Sequence, residues 1–273
     1  MRIQLDLGKS LEENASAYYD LAKKAKKKRM GVEKAAEAMK DRIRKSEAEA
    51  LAKDVVRKPV RKRAKQWFEK FHWMHTSESF LVIAGRDAKG NEMVVKKHMD
   101  DNDLYFHAEI VGAPHTVLKC AGKPVSDLSR REAAQLAAVF SKAWAQKQGH
   151  VDVYSVKPEQ VSKKAPTGEA ISTGAFMIYG KREWFRKTRL EFAVGVKKEG
   201  GELIVVSGPE TAVKGQALVH APLALGEDRK SEAAKKLKKL FEDRLAKQGV
   251  QAEVSLDELI AMLPADNLKI VQA

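Results

Sequence analysis

Residues 10–57 repeat apolar or small side chains at heptad-like spacing, and this pattern restricts the first part of the chain to helix. Ser10-Leu11-Glu12-Glu13 forms a capping box at its start, and Pro59 ends it. We expect either one rod of roughly 70 Å, at ~1.5 Å per residue, or two helices that fold back near Gly31. The repeated positions are rich in Ala and poor in Leu, so a partner surface or a hairpin is favoured over an isolated dimeric coil. They are Leu11, Ala15, Tyr18, Ala22, Ala25, Val32, Ala36, Met39, Ile43, Ser46 and Ala50.

The periodicity changes to that of strands from Phe80 onward. Residues 80–84 form a continuous apolar run, as in a covered strand. The turn at 87–91 followed by 93–97 predicts a β-hairpin. Residues 104–110 alternate apolar and polar side chains, and 115–119 follow a Gly112 turn, so both segments are predicted strands.

The rest of the chain alternates between the two kinds of element. A capping box at Ser129–Glu132 predicts a helix that Gly149 ends. Further strands are predicted near 151–156, 175–179, 189–196, 202–206, 217–220 and 268–271, and further helices at 228–248 and 255–262. We therefore predict an α+β fold with a helical, coiled-coil arm (1–58), a mixed β-sheet core with packed helices (59–197) and a small C-terminal α/β region (198–273). Residues 197–201 are interpreted as a linker.

Positive charge is concentrated at the start of the chain. The net charge is +14, and residues 1–70 hold 21 of the 51 Lys and Arg but 11 of the 37 Asp and Glu. Such an arm is typical of a protein with a polyanionic partner. The sequence has no apolar run of the ~20 residues that a membrane span needs, no signal peptide and one cysteine, Cys120. We expect a cytoplasmic protein without a membrane partner.

The densest basic run lies between the arm and the first strands. It comprises Arg57, Lys58, Arg61, Lys62, Arg63 and Lys65, and Trp67, Phe68, Phe71 and Trp73 follow at once. Lys and Arg at this density bind phosphates strongly and without sequence preference. We favour RNA contact over a solvated hinge for the cations, and core packing over base stacking for the aromatics.

Two histidines are placed close together by strand geometry. Period-2 alternation puts Tyr105, His107 and Glu109 on one face, and a returning strand would bring His115 and Lys119 beside them. A metal site needs more ligands than two histidines supply, so a metal-dependent enzyme is the weakest hypothesis. Contact with RNA and a structural role remain alternatives for both histidines. Cys120 is expected to be a small core residue.

Two loops present cations beside small residues, as suits phosphate binding. One contains Lys163 and Lys164, and the other contains Lys181 and Arg182 after Gly180. Neither has the spacing of a P-loop, and no triad or carboxylate pair is recognisable. We therefore expect no enzyme activity, no cofactor and no metal.

Three separate blocks carry a resemblance to a known family. They are WFEKFHWMHTSESFLVIAGRDAKGNEMVVKKHM, DLYFHAEIVGAPHTVLK and VKPEQVSKKAPTGEAISTGAFMIYGKREW. In order and spacing they resemble the RNA-binding (R) domain of the NFACT family, the ribosome quality control factors whose bacterial relatives are often labelled fibronectin-binding protein A-like. The arm resembles the family's middle coiled-coil segment, and the tail resembles archaeal members.

The resemblance implies an RNA- or ribosome-binding module. It would bind rRNA or tRNA on the large ribosomal subunit, with quality-control proteins as possible partners of the coil. The family's N-terminal domain and helix-hairpin-helix region have no counterpart in these residues, so complete tailing activity is not expected of them. The alternative is a protein-interaction module, adhesin-like or partner-docking, that uses the coil and the C-terminal region. The implied RNA contacts are Arg86, Lys96, Lys97, His107, His115, Lys163, Lys164, Lys181 and Arg182, to which the residue pattern adds Lys119, Arg61, Lys62, Arg63 and Lys65.

Overall fold

The computed structural model describes residues 4–54, 65–164 and 171–271, with side chains in the first range as far as residue 44. The chain forms two compact units, Met1–Arg63 and Ala64–Ala273. The helices are α1 (Leu11–Asp54), α2 (Ala88–His98), α3 (Asp127–Val139), α4 (Lys142–Ala145), α5 (Glu210–Lys214), α6 (Lys230–Lys247) and α7 (Leu256–Met262). The strands are β1 (His72–His75), β2 (Leu81–Ala84), β3 (Leu104–Ala108), β4 (Thr116–Leu118), β5 (His150–Val156), β6 (Val161–Ser162), β7 (Met177–Ile178), β8 (Glu183–Arg189), β9 (Phe192–Glu199), β10 (Glu202–Gly208), β11 (Val219–Asp228) and β12 (Leu268–Ile270).

Helix α1 begins at the predicted capping box. The Ser10 hydroxyl accepts from the Glu13 amide at 3.2 Å, and the Glu13 carboxylate accepts from the Ser10 amide at 2.8 Å. The helix continues through Gly31 for 44 residues, which is about 66 Å at ~1.5 Å per residue. Of the two alternatives from the sequence, the structure therefore has the single rod and not the hairpin.

Replacing Gly31 by alanine is expected to stabilise α1 by about 1 kcal/mol, because glycine in an exposed helix interior costs about that much relative to alanine. A Cβ added at Gly31 would meet nothing within 4 Å. Amide hydrogen exchange around residue 31 should slow by roughly fivefold in the variant. Unchanged or faster exchange at these amides would mean that the chain turns at Gly31.

The body of the second unit is built on a six-stranded sheet with the order β1-β2-β4-β3-β5-β8. All strand pairs in the described residues are antiparallel, so the prediction of a mixed sheet is wrong. Helix α3 covers one face, where Phe106 of β3 and Phe185 of β8 lie in tilted contact with ring centroids 5.8 Å apart. Strand β8 is an edge strand of this sheet.

The prediction of a β-hairpin at residues 87–97 is wrong, because these residues form helix α2. The Asp87 carboxylate caps the helix by accepting from the Gly90 amide at 2.6 Å. Asn91 then joins α2 to the sheet, since its side-chain oxygen accepts from the His115 amide at 3.0 Å. A Cβ on Gly85 would lie 2.1 Å from that same oxygen. The close approach of β2 and α2 therefore requires glycine at position 85.

The N-cap of helix α3 lies three residues before the predicted N-cap, Ser129. It is Ser126, whose hydroxyl accepts from the Ser129 amide at 3.3 Å, and the helix ends at Val139, ahead of the predicted Gly149. Glu132, predicted as a capping residue, is buried instead. Its two carboxylate oxygens accept from the Ser77 amide at 2.8 Å and the Thr211 hydroxyl at 2.6 Å. Glu132 thus ties the β1–β2 connection to α5.

Residues 192–270 contain a four-stranded sheet with the order β10-β9-β11-β12. The interpretation of residues 197–201 as a linker is wrong, because Glu199 pairs with Glu202 in a β-hairpin whose turn is Gly200-Gly201. Helix α6 packs on β11, with Leu237, Phe241 and Leu245 buried, and α7 packs on α6 and β10. The overall α+β class is confirmed, and the functional division at residue 197 stays a prediction.

Candidate RNA interface

The two predicted cationic loops are held together at one corner of the body. The Gln160 side-chain amide donates to the carbonyls of Tyr179 and Lys181 at 2.8 and 2.9 Å. Gly180 between them has φ +75, and a Cβ there would lie 2.9 Å from Gln160 Nε2, so the turn requires glycine. Lys164 and Lys181 are both exposed. We call this group (Gln160, Lys164, Tyr179, Gly180 and Lys181) the Gly180 corner.

Lys96 and Lys163 share one carboxylate partner, Glu92. Lys96 Nζ lies 2.5 Å from Glu92 Oε1, and Lys163 Nζ lies 3.4 Å from Oε2. The Gly174 amide also donates to Oε2 at 2.9 Å. The hydrogen bond from Lys96, then those from Gly174 and Lys163, lower the pKa of Glu92 to about 2.

Lys163 also contacts the backbone of residues 172–175. Its ammonium donates to the Ser172 and Ala175 carbonyls at 2.8 and 2.9 Å, and it lies 4.8 Å from the Phe176 ring centroid. Its side chain is 27% exposed. The geometry therefore gives Lys163 a structural role, and Lys96, which is 49% exposed, remains the more available of the two cations.

His107 and His115 do come together, as the strand geometry predicts. Their ring centroids are 5.0 Å apart, and His115 Nδ1 lies 2.6 Å from the hydroxyl of the buried Tyr105. Burial lowers the pKa of His115 to about 3 and that of His107 to about 4. Both rings are therefore neutral near pH 7, which weakens the case for contact with phosphate.

Lys119 does not lie beside the histidines, contrary to the strand prediction. It follows the opposite end of β4 from His115. Its ammonium contacts Asp100 at 2.6 Å, the His98 carbonyl at 2.8 Å and the buried Asp103. Burial lowers its pKa, but the two carboxylates more than offset this, so that the pKa of Lys119 is raised.

The remaining predicted contacts are dispersed. Arg86 donates to the Phe71 carbonyl at 3.0 Å, and burial lowers its pKa. Lys97 and Lys65 are exposed. Arg61, Lys62 and Arg63, with Arg57 and Lys58, lie outside the described residues.

Of the aromatics that follow the basic run, Phe71 and Trp73 are buried in the core as predicted, and Trp67 is 47% exposed and stacks on His98. Cys120 is buried, also as predicted.

A group of cationic and aromatic side chains lies on and next to β8. Of its residues, the sequence predicts only Arg182 as an RNA contact. The guanidinium carbon of Arg186 lies 3.8 Å from the Trp184 ring centroid, and that of Arg182 lies 4.4 Å from the Tyr154 centroid and 5.8 Å from the Trp184 centroid. Arg182, Trp184 and Arg186 alternate along the strand, and that Arg-x-Trp-x-Arg spacing was the available signal. We call Tyr154, Arg182, Trp184 and Arg186 the β8 face.

Within the described part of the chain, no group of three or more His, Cys, Asp and Glu side chains is placed to hold a metal ion. No helix among the described residues is long and apolar enough to cross a membrane. The interface candidates are therefore the Gly180 corner and the β8 face.

Comparison with known proteins identifies the body of the chain. Residues 70–180 match the family model described as "NFACT protein RNA binding domain". This segment contains the Gly180 turn, both histidines and the Glu92 contacts, so the geometry above describes a domain of that class. The chain is a member of the NFACT family.

Its relatives include proteins of ribosome quality control. It is 38% identical to "Archaeal Rqc2 homolog aRqcH" of Methanocaldococcus jannaschii over 80% of this chain and 31% of the relative. It is 37% identical to "Ribosome quality control complex subunit NEMF homolog" of Drosophila melanogaster over 71% of this chain and 20% of the relative. The chain thus spans about a third or less of the length of these relatives. The archaeal relative aligns with a larger share of this chain than the Drosophila one does, in agreement with an archaeal-type member.

One solved structure is also similar, the C-terminal part of a fibronectin/fibrinogen-binding protein from Streptococcus suis. It aligns at 26% identity over 49% of each chain, with a TM-score of 0.37. A TM-score this low is not a basis for inferring a common architecture.

Proposed function

We propose that this chain is the RNA- and ribosome-binding module of a cytoplasmic ribosome quality control factor. It would bind rRNA or tRNA on the large ribosomal subunit through cationic side chains, without catalysing a reaction itself. The observation that carries the proposal is the Gly180 corner, where hydrogen bonds from Gln160 and Tyr179 join the segments that present Lys164 and Lys181 at the edge of a domain of RNA-binding class. The names of the relatives, which include a ribosome quality control complex subunit, supply the cellular context.

The cations of the second unit differ in whether they already form an ion pair. Lys96 and Lys163 are paired with Glu92, and Lys119 is paired with Asp100 and Asp103. Lys164 and Lys181 form no ion pair within the described part of the chain, and both are exposed. An unpaired lysine gains more from a phosphate than a paired one, because no existing ion pair has to break.

Filter binding of a structured ribosomal RNA fragment at several salt concentrations tests the proposal. The affinity should fall steeply with salt, and the slope of log K against log salt should become shallower by ~1.8 in the Lys164→Gln, Lys181→Gln double variant, about 0.9 for each lost phosphate contact with duplex-like RNA. The control is Lys235→Gln with Lys239→Gln, which removes two exposed lysines of α6. Salt-independent or absent RNA binding would contradict the proposal.

A second function is favoured by the surface of α1. Leu11, Tyr18, Val32, Met39 and Ile43 are large apolar side chains that are 42–79% exposed and recur at heptad-like spacing. Such a surface suits docking of a helical protein partner. A pull-down of partners that survives nuclease treatment and removal of the arm's positive charge would favour this protein-interaction role over RNA binding.

A further inference from the structure

Strand β8 has an unusual concentration of cations for the edge of a sheet. Residues 181–189 read KREWFRKTR and contain five cations and one carboxylate. Edge strands use charge to avoid pairing with other chains, and Lys or Arg alone would serve that purpose. The additional feature here is a half-buried tryptophan, Trp184, between two arginines.

The β8 face is ordered by specific contacts. Trp184 lies opposite Tyr154 on β5, and the two rings meet edge to face at 5.5 Å. The Asp152 carboxylate accepts from Arg186 at 2.7 Å, which positions the guanidinium over the indole of Trp184. Arg182 forms its own ion pair, with Glu109 at 3.4 Å. Arg186 is 59% exposed, so the side of its guanidinium that faces away from Trp184 is open to a ligand.

A β-bulge gives the neighbouring lysine a different direction. Arg186 and Lys187 together lie opposite Asp152, and Lys187 has φ 52, in the left-handed region that non-glycine residues rarely adopt. The Asp152 carboxylate stabilises this conformation by accepting from the Lys187 amide at 2.7 Å. The bulge brings Lys187 to the α3 side of β8, where it lines a groove of about 250 Å³ with Arg131, Arg189 and Glu191, the ion-pair partner of Arg189. Cations thus lie on both sides of one exposed edge.

Planar cations and aromatics recognise unpaired bases, because every base has a π face and can stack on Trp or on a guanidinium. A base within a duplex is already stacked on both sides and cannot use such a surface. Cations across the same edge suit the flanking phosphates. We propose that β8 binds single-stranded RNA, with an unpaired base stacked on the Arg186–Trp184 pair and an adjacent phosphate bound by Lys187, which is exposed and forms no ion pair within the described part of the chain.

This inference rests on the proposed RNA-binding function and adds the kind of RNA and the contact surface. The test measures the affinity of the full chain for a fluorescent oligouridylate 12-mer and for a blunt RNA duplex of the same length. Trp184→Leu removes the ring, and Arg186→Lys keeps the charge but removes the guanidinium plane. Trp67→Leu is the matched control, because Trp67 is an exposed tryptophan of the same domain.

Both β8 variants should bind the single strand about 5- to 100-fold more weakly, as one lost stacking contact predicts. Their affinity for the duplex should be unchanged, and Trp67→Leu should alter neither. Oligouridylate should also quench the tryptophan fluorescence of the parent chain, and Trp184→Leu should abolish that quenching. Arg186 is exposed, so Arg186→Lys remains informative even if Trp184→Leu does not fold.

Two outcomes distinguish a failure of the proposed stacking surface from a failure of the proposed RNA-binding function. Undiminished binding of the single strand by both variants, with steep salt dependence retained, would overturn the stacking surface and leave the proposed RNA-binding function in place. Absence of binding to any RNA by the parent chain would overturn both.

Discussion

Lys119→Met should lower the free energy of unfolding by about 3 kcal/mol without weakening RNA binding of the folded protein. Removing one partner of a buried ion pair leaves the other charge uncompensated, and Asp103 is 1% exposed. The sequence predicts Lys119 as an RNA contact, whereas its three intramolecular acceptors give it a structural role. Urea denaturation, together with RNA binding well below the unfolding midpoint, distinguishes the two roles.

Lys123→Met is the matched control for this variant. Lys123 is an exposed lysine four residues further along the chain, so its replacement should change stability by less than about 0.5 kcal/mol. A Lys119 variant that is as stable as the control but binds RNA more weakly would restore Lys119 to the interface.

Acid should destabilise the domain through its buried histidines. The folded pKa of His115 is about 3, below the unfolded value near 6.5, so the unfolded chain binds the proton first as the pH falls. The stabilising contribution of the neutral ring is complete above pH 6.5 and is lost as the pH falls towards 3. For His115 alone the loss between pH 7 and pH 3.5 is on the order of 4 kcal/mol. His107, with a folded pKa of about 4, adds to it.

His115→Gln should make the free energy of unfolding less dependent on pH. The variant loses the contact with Tyr105 and should be less stable at pH 7, but it should lose less stability on acidification, so the two curves approach each other at low pH. Urea midpoints at pH 7, 5.5 and 4.5 measure the effect, and His150→Gln, at an exposed histidine, should leave the slope unchanged. An NMR titration of the His115 ring with a midpoint near 6.5 would contradict this account.

The two kinds of cationic site differ in how visible they are in a sequence. The Gly180 corner follows from local composition, because a Gly beside Lys and Arg predicts an exposed turn. The stacking of Arg186 on Trp184 depends on their alternation along a strand, which is also local, but its exposure depends on β8 being at the edge of the sheet. Strand order is a long-range property, and no local pattern contains it.

The misassigned elements have physical causes in long-range contacts. Val94 and Val95 have β-branched side chains that favour a strand, yet Asp87 caps a helix and the Asn91 side chain accepts from the amide of His115, which precedes β4. The start of α3 was misplaced because Ser126 and Ser129 are both suitable caps, and burial of Glu132 against Ser77 and Thr211 decides between them. Apart from the local Asp87 cap, each of these contacts joins residues at least 24 positions apart in the chain.

The sequence by itself determined the α+β class, the helical nature of the arm with its Ser10–Glu13 cap, most strands, the proximity of His107 and His115, and the family. These follow from periodicity, capping chemistry and motif order, all of which act over a few residues or are read directly from the chain. Only the tertiary structure decided which cations are available. Glu92 lies 71 residues from Lys163, and Asp103 lies 16 residues from Lys119. An ion pair depends on distance in space, and so the fold alone separates the lysines that are held in ion pairs from those that stay exposed without one.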